Sequence, residues 1–129
     1  MKISQSIPTA AAVAAIALSL PGIAAADAAG ATAKAAQHAG LAAGSGELGM
    51  VQRHLHHTLN CLVGAEGEGF DESAGNPCGP DGGAIPQTAD AAMKAKLEGI
   101  AAEVREQVMG QDLAAAQEFA SSVQEMLAE

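Results

Sequence analysis

This chain has no tryptophan and no tyrosine, and Phe70 and Phe119 are its only phenylalanines. A core without large rings must be assembled from Leu, Val, Ile, Met and Ala, and such a core is thin. Positive charge is scarce as well, with 6 Lys and Arg against 15 Asp and Glu and a net charge of -9. That balance argues against nucleic acid or an anionic membrane surface as partner, and it favours cations. Several familiar chemistries have no motif here. The sequence holds no C-x-x-C-H for covalent haem, no H-E-x-x-H and no G-x-S-x-G around a serine nucleophile. Its loop acids do not follow the D-x-[DN]-x-[DN]-G pattern of a calcium loop. Glu103 and Glu106 form an acid pair at helical spacing, of the kind usual on solvated helix faces. No residue pattern points to an enzyme.

Met1 and Lys2 precede an apolar stretch from Ala10 to Leu20, a bend at Pro21 and Gly22, and the small residues Ala24 to Ala26 before Asp27. A basic start, an apolar segment shorter than a membrane span and a small-residue site read as a secretory signal peptide, with cleavage expected after Ala26. Residues 1–26 would be the signal and residues 27–129 one small domain, periplasmic or secreted, with no membrane insertion after cleavage. Removing Lys2 with the signal takes the charge one unit further negative. Cys61 and Cys78 are the only cysteines, and in an exported chain a disulfide between them is the default reading. A covalent tie suits a small domain with a modest core.

The expected fold is all-α: an antiparallel four-helix bundle built from two helical hairpins, with a long disulfide-tied loop between them. A first, alanine-rich helix runs from Asp27 to Ala43, where Gly44, Ser45 and Gly46 break it. A second runs from Glu47 to Val63, because Leu48, Val51, Leu55, Leu59 and Leu62 recur every three or four residues, and Gly64 ends it. Residues 64–87 contain seven glycines, three prolines and five acids, and are expected to form a loop with Phe70 as its apolar anchor. Thr88 is the expected cap of a third helix with the stripe Met93, Leu97, Ile100, Val104 and Val108. Asp112 caps a fourth, with Leu113, Ala116, Ala120, Val123 and Leu127. A faint internal repeat relates the hairpins: Glu47-Leu48 followed by Gln52 matches Asp112-Leu113 followed by Gln117.

The densest chemistry lies in R-H-L-H-H-T-L-N-C, residues 53–61, which holds three of the four histidines. At about 100 degrees per residue, Met50, His54, His57 and Cys61 share one side of the helix, away from the leucine stripe, while His56 points elsewhere. Imidazoles one helical turn apart can share a metal ion, so His54 and His57 form a plausible chelate. If the chain reverses around Ser45, His38 of the first helix comes level with His54. His38, His54 and His57 would then make a three-imidazole site, with water, Met50, or a loop carboxylate such as Glu66 or Glu68 completing it. His56 is an auxiliary ligand or a solvated residue. Imidazole suits copper, nickel and zinc, and a thioether neighbour tilts the choice toward copper.

An exported, alanine-rich helical chain with His38, His54, His56 and His57 at helical spacing resembles the small metal-binding protein family. The resemblance implies a periplasmic four-helix bundle that binds divalent metals, copper among them, for sequestration, buffering or delivery. Two other readings stand beside it. The chain can be a structural or adaptor bundle that meets a periplasmic protein partner through its loop, with the histidines incidental. It can also be a pH-responsive switch, since histidines titrate near neutral pH.

Overall fold

A computed structural model describes residues 22–129, with side chains from Asp27 onward. The expected signal sequence lies outside the described side chains. The described residues are all-helical: α1 (Gly22–Ala43), α2 (Leu48–Val63), α3 (Ala84–Gln87), α4 (Ala91–Gln107) and α5 (Leu113–Ala128), with a short 3-10 turn at Glu72–Ala74 and no strand.

Alanine decides how α1 packs. Ala28, Ala31, Ala35, Ala39 and Ala42 recur every three or four residues and are buried. A face of methyl groups allows close approach of neighbouring helices, and α1 lies chiefly against α2 and α5. On α2 the expected stripe is buried at Val51, Leu55, Leu59 and Leu62, with Leu48 packed at its margin. Leu97, Ile100 and Val104 of α4, with Val108 at its C-cap, face the same core as Ala116, Ala120, Val123 and Leu127 of α5. Met93 departs from its expected place on the stripe and is 42% exposed.

Two polar residues lie inside this core, and the sequence pattern flagged neither. Thr58 is fully buried; its hydroxyl lies 3.0 Å from the His54 carbonyl on its own helix and 3.2 Å from the Ala35 carbonyl on α1. It therefore sets the register of α1 against α2. Asn60, also fully buried, faces the loop.

The faint repeat has a structural counterpart. Gln52 of α2 donates to the Gly110 carbonyl in the turn between α4 and α5, at 3.0 Å. Gln117 of α5 donates to the Ser45 carbonyl in the turn between α1 and α2, at 2.7 Å. Each helical pair thus reaches the turn of the other with an equivalent glutamine.

The segment 64–87 differs from a plain loop. Ala84–Gln87 is a short helix that buries Ala84 and packs Ile85 against the core. Pro86 is tolerated there because the first-turn N–H groups of a helix have no intrahelical acceptor to lose. Contrary to expectation, Thr88 does not begin the next helix; its hydroxyl donates to the Ala84 carbonyl at 2.8 Å. Asp90 caps α4 instead, accepting from the Met93 N–H at 2.7 Å. The carboxylate wins because it sits three residues before the N–H it receives, the usual geometry of a side-chain cap. Asp112 caps α5 as expected, accepting from the Ala115 N–H at 2.7 Å.

Gly64, at φ 75°, ends α2 and returns its N–H to the Asn60 carbonyl. Gly83 passes so close that a Cβ on it would stand 2.5 Å from the Gly64 nitrogen. Because the opposing atoms are backbone, Gly83→Ala is expected to lower stability by about 1–3 kcal/mol, as overpacking does elsewhere, read from the denaturant midpoint.

Candidate metal centre

α1 supplies His38, and α2 supplies His54 and His57. The turn at residues 44–47 folds the two helices back on each other, and Thr58 holds their register. The three half-buried imidazoles meet as expected: one ring nitrogen from each lies within 4.8 Å of the others. The His38 and His54 rings are nearly parallel, 5.6 Å apart between centroids. His57 stands edge-on to both, with centroids at 4.8 Å from His38 and 5.6 Å from His54.

The Nδ1 atoms of His38 and His54 are 3.3 Å apart. Without a metal, one ring donates an N–H to the lone pair of the other. With both protons on Nε2, the same atoms present two lone pairs to a common point. A tetrahedral ion with nitrogens at 2.0–2.1 Å needs them about 3.3 Å apart, whereas a square-planar ion needs about 2.8 Å between neighbours.

His57 is oriented from the loop. Its Nε2 lies 2.6 Å from the Ala74 carbonyl oxygen. A carbonyl only accepts, so Nε2 carries the proton and the lone pair of the ring is on Nδ1. That Nδ1 is buried and has no hydrogen-bond partner. A buried acceptor without a donor is costly, and a cation is one group that satisfies it. Metal-binding histidines commonly donate their second ring N–H to a backbone carbonyl in this way.

The electrostatics keep the lone pairs available. Burial first, and then the neighbouring His57 and His54, push His38 down to about 4. Burial, His57 and Arg53, in that order, also lower His54. A histidine of depressed pKa binds protons less in the folded chain than in the unfolded one, so stability falls as pH drops from 6.5 through about 4. Denaturant midpoints of the metal-free chain should decline across that window. The decline should be shallower in His38→Gln, and a slope identical in both chains would remove His38 as its source.

The remaining candidate residues are placed elsewhere. His56 faces the loop, its Nδ1 3.8 Å from the Asp71 carboxylate. The Ser73 hydroxyl, above all, holds that carboxyl below its ordinary range. Met50, one turn before His54, is 38% exposed. Glu68 lies 3.6 Å from Arg105, and Glu66 is exposed. No carboxylate joins the three histidines among the described residues. Cys61 and Cys78 are joined in a disulfide with Cα atoms 5.3 Å apart, so neither offers a thiolate. Sequence reasoning missed the Ala74 carbonyl, since a main-chain acceptor leaves no mark in side-chain composition.

No helix among the described residues is long and apolar enough to cross a membrane. No protein-family model, no curated protein and no solved structure matches the chain.

Proposed function

We propose that this chain is an exported metal-binding protein that resembles the small metal-binding protein family. On this reading its antiparallel four-helix bundle holds a transition metal through His38, His54 and His57. The observation that carries the reading is the convergence of three half-buried imidazoles from two helices, one ring nitrogen of each within 4.8 Å of the others. Three protein ligands leave one position open for water or an exchangeable donor, which suits sequestration, buffering or delivery in the periplasm better than a permanent structural ion. The acid-rich surface raises the local concentration of cations.

A set of three imidazoles suits copper, nickel and zinc, with copper the first choice on this reading. The test is calorimetric titration of the chain with zinc, nickel and buffered cuprous ion, with the histidine ring resonances followed by NMR. Binding of one ion that shifts His38, His54 and His57 together supports the reading. The absence of saturable binding, or binding that leaves those three rings unmoved, overturns it.

A further inference from the structure

Asn60 has no place in the metal site as described, yet it is fully buried and its amide is spent entirely on the loop. Its Nδ2 donates to the Asp71 carbonyl at 2.8 Å and to the Gly75 carbonyl at 2.7 Å. Its Oδ1 accepts the Asp71 N–H at 2.9 Å. These contacts bracket the 3-10 turn Glu72–Ala74 on both sides. Asp71 closes the turn from within, its carboxylate accepting the Ser73 N–H at 2.9 Å and the Ser73 hydroxyl at 2.5 Å. The product of this arrangement is a carbonyl, that of Ala74, set 2.6 Å from His57 Nε2.

We infer that Asn60 is a positioning residue for the metal site: it holds the Ala74 carbonyl on His57, which fixes the proton on Nε2 and aims Nδ1 at the ion. This inference rests on the proposed metal-binding function. The geometry closes on itself. Asn60 lies three residues after His57, so the two project from neighbouring points on the same rigid helix. The helix fixes Asn60, Asn60 fixes the turn, and the turn fixes the ring. A histidine without such a partner divides its proton between two nitrogens and rotates about its side-chain bonds. Both freedoms are lost when a metal binds, and both weaken it.

The Cys61–Cys78 bond ties the same loop but cannot replace the amide. It constrains the chain three residues beyond Gly75 and contributes no hydrogen bond to the turn. Among the described residues, Asn60 alone has a side chain that hydrogen-bonds both Asp71 and Gly75.

The test uses the metal-free and metal-loaded chain carrying Asn60→Ala. In the unsubstituted, metal-free chain, the His57 ring N–H is expected as a solvent-protected proton on Nε2 in long-range nitrogen–proton correlation spectra. In Asn60→Ala it should exchange away, and metal affinity should fall by about 10- to 100-fold, the usual effect of removing an outer partner of a ligating histidine. Should that variant fail to fold, Gly75→Ala disturbs the same turn from the loop side. Gly75 has φ 97°, and its added Cβ would lie 3.5 Å from His57 Nε2, outside the core. The same two losses are expected there. Gln52→Ala, which breaks a contact far from the turn, controls for general loss of stability and should keep both the proton and the affinity.

A folded Asn60→Ala or Gly75→Ala chain that retains the protected proton, or that binds metal as the unsubstituted chain does, overturns the inference. Failure of the unsubstituted chain to bind any of the metals sinks the proposed function instead. In that case the ring-proton comparison, which needs no metal, still decides whether Asn60 positions His57.

Discussion

On the proposed metal-binding reading, a chain carrying His57→Ala is expected to bind a transition metal at least about 100-fold more weakly than the unsubstituted chain, while its helical content stays unchanged. The scale follows from removal of a mere outer partner, which already reduces affinity by about 10- to 100-fold, so losing a ligand belongs at or above the top of that range. His57 is the most sensitive of the three because its orientation is prepared before the ion arrives: its Nε2 is committed to Ala74 and its Nδ1 has no other partner. His38 and His54 can satisfy each other through their Nδ1 atoms when no ion is present. The fold should survive because His57 is only half-buried and lies outside the leucine stripe of α2. His56→Ala serves as the matched control, since His56 faces Asp71. Calorimetric titration of both variants checks the difference. Equal loss in the two would mean that histidine density on α2, and not the three-ring geometry, governs binding.

Removing the disulfide by Cys61→Ser together with Cys78→Ser should destabilise the chain by about 3 kcal/mol, because a crosslink spanning 17 residues withdraws that much loop entropy from the unfolded state. For a domain near 100 residues this lowers the thermal midpoint by roughly 12–24 °C. Both sulfurs are buried, so the bond is also part of the core. A core of leucine, valine and many alanines has little in reserve against such a loss. Differential scanning calorimetry of the double variant tests the figure. A midpoint within a few degrees of the unsubstituted chain would mean that Asn60 and the α3 contacts keep the loop ordered without covalent help.

Much of the fold is legible in the sequence for identifiable reasons. The α2 stripe carries bulky residues at helical spacing, and a period of that kind is the mark of a helix with one buried face. The meeting of His38 with His54 follows from counting outward on both sides of Ser45, since antiparallel helices advance at the same rate per residue. The bonding of Cys61 to Cys78 follows from their being the only two cysteines. Other features were hidden because their partners are main-chain atoms. The Ala74 carbonyl, the Asp71 and Gly75 groups held by Asn60, and the Ala35 carbonyl beside Thr58 belong to residues whose side chains say nothing of these roles. The short helix Ala84–Gln87 was hidden for a different reason, lying among glycines and prolines that ordinarily mark irregular chain. Asp90 outcompeted Thr88 as cap by a shift of two positions, a small displacement by the standards of helix ends.

The paired contacts of Gln52 with Gly110 and of Gln117 with Ser45 bear on how this molecule tolerates mutation. Each accepting group is a peptide oxygen, present whatever side chain the residue carries. Sequence drift at Ser45 therefore leaves its half of the join intact, provided the turn keeps its shape. The burden of heredity falls on the two glutamines alone, and a lineage losing one of them would loosen that junction without touching the three clustered histidines.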